Sequence, residues 1–305
     1  MFHIIIPTFN REKVIYRAID SILKQKRYNE KNINIYIIDD GSTDWTNKLI
    51  NNNFNNLFYF YKDNWGVSSA RNFWIKKVLE KWQKDDYILF LDSDDILTKN
   101  ALENIEEIVL KFKNINYFAF WVEDNFWKKT YFNAKDKQIL SYNESLSEKK
   151  ASWEFFRVLK LNVFIENNFR FPEGVNWWED ILWLDINKKY ELLISDFIVR
   201  IYYLDEVWIT RDYLDSSKIL NFLNVTKLII DKYWNDLFYL NKKLLGIHFL
   251  VYARMLALSW KKVKSFKYWF KWFFYSFNIF RFTLFTISLL PFNLQLNNLL
   301  IKLKK

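Results

Sequence analysis

Ile33-Asn34-Ile35-Tyr36-Ile37-Ile38 runs directly into Asp39-Asp40-Gly41-Ser42-Thr43-Asp44. The first half is a short apolar run rich in isoleucine, which predicts a buried strand. The second half ends it: Gly41 supplies a turn, and Ser42, Thr43 or Asp44 can cap a following helix, expected over Thr43–Asn52. Outward from this unit the alternation repeats, with strand-like runs at Phe2–Ile6, Leu57–Tyr61 and Tyr87–Leu91. Between the first two strands Val14, Ala18 and Ile22 recur at i, i+4 and i+8, with Ile15, Ile19 and Leu23 beside them, as on the apolar face of a helix. A third helix is expected over Ser69–Trp82. Short buried strands alternating with helices predict an α/β, Rossmann-like fold, a mostly parallel sheet flanked by helices on both faces. Ligands of such sheets bind beyond the carboxyl ends of the strands.

Further along, a helix is expected over Asn100–Phe112 and strands over Tyr117–Val122 and Phe126–Phe132. Lys135–Ser152 reads as a polar loop, and a helix-like stretch leads to the turn Phe171-Pro172-Glu173-Gly174. Strands follow at Phe197–Tyr203 and Val207–Thr210, and from Lys218 onward the pattern is helical. No internal repeat is visible.

The 305 residues include no cysteine, which excludes disulfides and thiolate metal sites and fits a reducing compartment. His3 and His248 are far apart and read as packing or surface residues. The net charge of +10 is uneven: after Asp236 there is no acidic residue, and twelve Lys and Arg follow between Lys242 and Lys305. The preceding part holds 33 basic against 35 acidic residues, so a nearly neutral body carries a basic, aromatic tail. That asymmetry predicts an anionic surface as the tail's partner. Lysines interleaved with Trp269, Phe270, Trp272, Phe273 and Phe274 suit a helix lying in a membrane interface. The alternative is a helical subdomain packed on the body. The apolar run Ile279–Phe292 is too short for a confident span. No nucleic-acid module accompanies the basic residues, so no nucleic-acid partner is expected. Met1 leads straight into a strand, with no signal peptide visible.

Four segments carry chemistry. Asp39 and Asp40 end a strand, where a carboxylate can accept hydrogen bonds from a ribose or a base edge, or simply shape a capped turn. Asp92-Ser93-Asp94-Asp95 also follows a strand. Three carboxylates in four residues repel one another unless a cation or partner neutralises them, and Mg²⁺ and Mn²⁺ favour carboxylates together with phosphate oxygens. Arg71, in Asn64-Trp65-Gly66-Val67-Ser68-Ser69-Ala70-Arg71-Asn72, can pair with phosphate or with those carboxylates. Glu179-Asp180 could hold a base of raised pKa or cap a helix.

The order Pro7-Thr8-Phe9-Asn10-Arg11, Asp39-Asp40-Gly41-Ser42-Thr43-Asp44, Asn64-x-Gly66-x-Ser68-x-Ala70-Arg71-Asn72, Asp92-Ser93-Asp94-Asp95 and Glu179-Asp180 resembles the family 2 inverting glycosyltransferases of GT-A fold. The resemblance implies a catalytic domain over residues 1–215, with 1–98 binding the nucleotide-sugar and 99–215 the acceptor, and a helical, basic extension over 216–305. It implies that Pro7 and Thr8 line the base and ribose pocket through their backbone, with Asn10 and Arg11 beside them. Asp39 and Asp40 would bind the uracil or ribose, and Arg71 would lie near the nucleotide. Asp92 and Asp94 would hold Mn²⁺ or Mg²⁺, with Ser93 in the donor site. Asp180 would be the general base, with Glu179 beside it, and Arg211 would lie near the diphosphate or acceptor. The implied partners are a nucleotide-sugar donor, UDP-linked by preference, and a glycan or lipid-linked acceptor in cell-surface polysaccharide synthesis. The implied location is cytoplasmic, peripheral at the inner face of the membrane. A sugar nucleotidyltransferase would share the sheet and the metal, but Pro7-Thr8-Phe9-Asn10 is not the Gly-rich phosphate loop it should carry. An inactive binding protein of the same fold is the non-enzyme alternative, against which Asp92, Asp94 and Asp180 stand intact.

The chain has 4 Gly against 15 Trp. Trp45, Trp74, Trp82 and Trp178 stand where the family pattern usually has Gly. We read these as UGA codons translated as Trp in an AT-rich lineage that decodes UGA as glycine, against the alternative of real tryptophans in an aromatic-rich protein. On the first reading their indoles should be exposed or crowd the donor cleft instead of packing in a core.

Overall fold

The computed structural model describes residues 1–26, 32–78, 85–132, 134–147, 152–174, 179–203 and 216–276, with Val78, Tyr131, Phe132, Ser152, Trp153, Asp180 and Ser276 described by their backbone alone. Val207–Thr210, Arg211, Trp82, Trp178 and Ile279–Phe292 lie outside these residues. The chain divides into two compact units, Met1–Glu206 and Val207–Lys305.

In the first unit β1 (Phe2–Thr8), α1 (Ile15–Leu23), β2 (Ile33–Asp39), α2 (Thr46–Asn53), β3 (Phe58–Tyr61), α3 (Val67–Val78) and β4 (Tyr87–Phe90) alternate as the pattern predicts. After β5 (Ile96–Leu97) and α4 (Ala101–Lys111) come β6 (Tyr117–Asp124), β7 (Tyr131–Phe132), β8 (Gln138–Leu140), α5 (Tyr142–Ser147) and β9 (Ser152–Trp153). The unit closes with β10 (Phe156–Lys160), α6 (Asn162–Asn167), α7 (Asp180–Asn187) and β11 (Leu192–Tyr202). The main sheet runs β3-β2-β1-β4-β10-β6-β11-β5, with β8 also on β11. Its first four strands are parallel. β10 then lies antiparallel between β4 and β6, while β11 returns parallel to β6. The sheet is therefore mixed, parallel where the strand-end motifs sit.

The isoleucine runs form strands because both faces are covered. Ile4, Ile6, Ile35, Ile37 and Leu89 pack with Ile15, Ala18, Ile19 and Ile22 of α1 and with Leu102, Ile105 and Ile108 of α4. The alternate residues Ile5, Tyr36, Ile38, Ile88 and Phe90 pack on the opposite face with Ala70, Trp74 and Ile75 of α3, Phe164 of α6 and Trp183 of α7. Period-two side-chain alternation thus divides one continuous apolar run between two cores.

Three expectations are corrected. β10 was expected as helix, but a five-residue buried run has no period that separates strand from helix. The expected loop over Lys135–Ser152 contains β8, α5 and the start of β9. The expected strand over Phe126–Phe132 survives only as β7. Asp124 stops β6, because its Oδ1 accepts from the backbone N–H groups of Phe126 at 2.9 Å and Lys128 at 2.8 Å, closing a turn.

The second unit is α8 (Ser216–Leu240), α9 (Lys242–Leu258) and α10 (Lys262–Ser276). α9 starts at an Asn241 cap, whose side chain accepts from Leu244 N at 3.0 Å. Phe249 of α9 meets Trp234 of α8 and Tyr268 and Tyr275 of α10, with the Lys271 ammonium 4.7 Å from the Trp234 ring. α10 keeps Ser265 and Trp272 inside and leaves Val263, Phe266, Phe270, Phe273 and Phe274 exposed. Among the described residues no helix is long and apolar enough to cross a membrane.

The tryptophans behave unequally. Trp74 is 1% exposed, in the core against His3 and Tyr36, so the expectation of an unpacked indole fails there. Trp45 is exposed, but its backbone (φ −80°) places no demand for glycine. Among the described tryptophans the glycine-like positions are two not singled out above: Trp127 (φ 62°) in the turn after β6 and Trp260 (φ 61°) after α9, both with exposed indoles. Trp260 N donates to Ala257 O and Lys261 N to Leu256 O, the paired closure of a helix that usually ends on glycine. A left-handed backbone costs a residue with a Cβ about 1 kcal/mol or more. Trp127→Gly and Trp260→Gly should therefore each raise the free energy of unfolding by about 1 kcal/mol. Thermal unfolding checks this, and unchanged or lowered melting temperatures would contradict it. UGG codons at both positions would exclude recoding there.

Candidate active site

The carboxyl ends of β1, β2 and β4 converge on two linked polar clusters. In the first, the loops after β1 and β2 brace each other. Asn10, in a left-handed conformation (φ 52°), accepts at Oδ1 from the backbone N–H of Thr43 at 2.8 Å, and its own N–H donates to Ser42 Oγ at 2.9 Å. Arg11 N donates to Thr46 Oγ1 at 2.8 Å. Pro7 and Thr8 are the last residues of β1, opposite Ile38 and Asp39, and Thr8 Oγ1 is buried with no hydrogen bond among the described residues. Asp39 is fully buried and accepts from Ser42 N at 2.7 Å and from the Tyr59 hydroxyl at 2.5 Å. Asp40 accepts from Lys62 Nζ, from Trp65 N at 3.1 Å and from Gly66 N at 2.7 Å. Both acids at the end of β2 thus have donors inside the protein, and Asp40 anchors the 62–66 segment. Gly41 is required where it stands: at φ +86°, a Cβ would lie 3.0 Å from Asn64 N.

The second cluster is built on Asp92–Asp95, a bridge between β4 and β5. Arg71 of α3, 2% exposed, donates through Nη2 to Asp92 Oδ1 at 2.7 Å and through Nη1 to Glu179 Oε1. Arg200 of β11 is also buried. Its Nη1 faces Asp92 Oδ2 at 3.8 Å and Asp95 Oδ2 at 3.6 Å, and its Nη2 pairs with Glu154. Two guanidinium forks therefore hold four carboxylates. Asp94 is half-buried, with Arg11 Nη2 at 3.8 Å, while its backbone carbonyl accepts from Arg17 Nη2 at 2.5 Å. Ser93 is buried between them.

Burial drives the electrostatics. It pushes the Asp94 carboxyl above the usual range, with Asp92 adding to the rise and Arg11 opposing it. Asp95 is raised well above that range by burial, against the pull of Arg200. Burial likewise raises Glu179 despite Arg71. Arg71 and Arg200 lose hydration, yet their carboxylate partners hold both firmly charged.

The structure thus brings Arg71, Asp92 and Glu179 together, with Asp94 and Arg11 alongside. Glu179 precedes α7 and makes no capping hydrogen bond, its carboxylate going to Arg71 instead. Asp180 is the first residue of α7, and its side chain lies outside the described residues, as does Arg211. Sequence reasoning missed Arg200, Glu154, Lys62 and Asn72. Arg200 had a signal: a lone arginine inside the apolar run Phe197–Tyr203 is a buried charge that must have partners. Asn72 grips Phe171 at both polar atoms of its backbone, with Nδ2 donating to O at 2.9 Å and Oδ1 accepting from N at 2.8 Å. That grip holds the Phe-Pro-Glu-Gly turn against α3.

Among the described residues no group of three or more His, Asp or Glu side chains is arranged to hold a metal ion. The carboxylate of Asp94 is half-buried, with Arg11 Nη2 at 3.8 Å, and Mg²⁺ or Mn²⁺ asks for only one or two carboxylates when phosphate oxygens complete the shell. Asp94, with the Oδ2 side of Asp92, fits that demand.

Residues 3–166 match the sequence model of the family described as Glycosyl transferase family 2. An uncharacterized glycosyltransferase of Rickettsia conorii is 33% identical over 244 residues, which are 75% of this chain and 37% of that protein. The minor teichoic acid biosynthesis protein GgaA of Bacillus subtilis is 36% identical over 121 residues, 38% of this chain and 26% of GgaA. The chain spans little more than a third of the length of these Rickettsia relatives. Among solved structures, S. aureus TarS 1–349 in complex with UDP-GlcNAc superposes with a TM-score of 0.63 at 17% identity, covering 87% of this chain and 81% of that one. That likeness is one of fold, the GT-A architecture with its flanking helices.

Proposed function

We propose that this chain, which belongs to glycosyl transferase family 2, moves a sugar from a UDP-sugar to a glycan or lipid-linked acceptor with inversion at the anomeric carbon. The observation that carries the reading is Arg71, which draws Asp92 and Glu179 to one point at the carboxyl edge of the parallel strands. Such a point can receive a diphosphate on one side and an acceptor on the other. The braced loops after β1 and β2 would seat the nucleoside, with Pro7, Thr8, Asn10, Arg11, Asp39 and Asp40 forming its walls. Arg11 would meet negative charge leaving with the diphosphate, while buried Arg71 would hold Asp92 and Glu179 in place beneath it. Mn²⁺ or Mg²⁺, held by Asp94 and Asp92, would add positive charge at the same oxygens. Asp180 would take the acceptor's proton as its hydroxyl attacks the face opposite the leaving group. Glu179, kept on Arg71, would fix where α7 begins. The name of GgaA and the ligand of TarS support a cell-surface polymer as acceptor and UDP as the carrier.

Calorimetry of UDP binding tests the reading. Binding should appear with Mn²⁺ or Mg²⁺ and weaken at least tenfold in EDTA. Equal affinity in EDTA would remove the metal from the donor site. A screen of UDP-sugars for hydrolysis or transfer then identifies the donor.

The same proposal places the second unit at an anionic membrane surface. Its support is α10, where Lys264 and Lys267 stand among exposed Val263, Phe266, Phe270 and Phe274. Lys264→Glu with Lys267→Glu should weaken co-sedimentation with phosphatidylserine vesicles, since each basic residue near such a surface contributes about 1 kcal/mol. Equal sedimentation of variant and wild type would refute it.

A further inference from the structure

We infer that Glu154 is the residue that reads the sugar of the donor, accepting hydrogen bonds from ring hydroxyls. The inference rests on the nucleotide-sugar reading and adds a contact that the motif pattern does not contain. Glu154 lies between β9 and β10, and its side chain is 46% exposed. One oxygen, Oε1, takes Arg200 Nη2, and among the described residues nothing donates to Oε2. The other arm of the same guanidinium faces Asp92 and Asp95. Glu154 is thus one guanidinium's width from Asp92, with one oxygen held by Arg200 and the other open.

Pairing with Arg200 accounts for Oε1, which takes the side-chain hydrogen bond of that guanidinium, while Asp92 and Asp95 face it at 3.8 and 3.6 Å. It does not account for Oε2, and with Asp92, Asp95 and Glu179 already present Glu154 brings a fourth carboxylate to two guanidinium groups. A further anion beside a diphosphate site is unfavourable unless it meets an uncharged partner rich in O–H donors. A diphosphate offers only acceptor oxygens and a metal site is better served by Asp94. A sugar ring offers several hydroxyl donors, and a carboxylate is the acceptor that binds them most strongly. On the nucleotide-sugar reading, a diphosphate at Asp94 and a base at the start of α7 would leave the ring near Asp92, which shares Arg200 with Glu154. Two features keep the carboxylate fixed, the fork of Arg200 and the short link to β10, whose register against β4 and β6 is set by the sheet.

UDP lacks the sugar, which makes it an internal control. The full chain, in Mn²⁺, is titrated by calorimetry with UDP, UDP-glucose, UDP-galactose and UDP-N-acetylglucosamine. For the UDP-sugar that the wild type binds best, Glu154→Ala should raise the ratio of its Kd to that of UDP about tenfold, the loss expected for hydrogen bonds to a charged group. Glu154→Gln, which keeps the shape and loses the charge, should fall between, and UDP itself should bind as to wild type. An unchanged ratio for all three sugars would overturn the inference and leave the family reading standing. A parallel loss for UDP and UDP-sugars would also overturn it, showing that Glu154 only supports the site through Arg200. Failure of the wild type to bind UDP or any UDP-sugar would count against the nucleotide-sugar reading, and this inference would fall with it.

Discussion

Arg71→Met should cost the protein about 3 kcal/mol of stability and remove donor binding. The guanidinium is buried between the rings of Phe90 and Phe171, 5.8 and 5.2 Å from its centre, and bridges Asp92 and Glu179. Methionine fills much of the volume, but leaves two carboxylates facing each other with no cation between them. Breaking a buried ion pair from one side costs about 3–5 kcal/mol. The low end applies because the carboxylates of Asp92 and Glu179 keep 37% and 34% of their side-chain exposure. Arg71→Lys should rescue only part, since a single ammonium cannot reach both acids with the geometry of a fork. The double variant Arg71→Met/Glu179→Gln should regain stability without regaining UDP binding. Denaturant unfolding and calorimetry measure the two effects separately, and a stability loss below about 1 kcal/mol would show the network to be incidental.

Asp180→Asn, which removes the proposed general base, should lower turnover by about 10²–10⁴ with UDP affinity unchanged, because such a base acts on the acceptor and not on the nucleotide. Glu179→Gln should behave differently. Its carboxylate is bound to Arg71, so its loss should weaken donor binding and turnover together. Single-turnover rates beside UDP titrations separate these outcomes. A normal rate for Asp180→Asn would assign the proton transfer to another group.

The half of the fold that the sequence predicts well is the half governed by short-range rules. Phe2–Thr8 and Ile33–Asp39 form strands because β-branched runs buried on both faces can do little else, and Gly41 ends one because only glycine fits against Asn64. β10 escapes because five apolar residues obey no distinguishing period. The turn at Asp124–Trp127 escapes because Asp124 overrides the apolar Phe126. The site divides in the same way. Asp92, Asp94 and Glu179 announce themselves as acids beside strand or helix ends. Arg200 and Glu154 meet each other and Asp92 only when β10 and β11 enter the sheet, and no local pattern encodes that meeting. Trp74 shows the converse, where the expected glycine site is a position that the core fills with an indole.

The bridge Asp92–Asp95 has one more consequence. Leu91 N donates to Ile5 O at 2.9 Å before it, and Thr98 N donates to Val199 O at 3.0 Å after it. Between these, Arg17 holds the carbonyl of Asp94, and Tyr203 N donates to Asp95 Oδ1 at 3.3 Å. Amides in such a segment exchange with solvent only when the strands around them separate. Hydrogen–deuterium exchange at the amides of Leu91, Leu97 and Thr98, which donate to Ile5 O, Ser21 Oγ and Val199 O, should therefore be as slow as in the centre of β1, and should change little when UDP is added. The acids would then reach a ligand already ordered, their entropy lost once, when the chain folds.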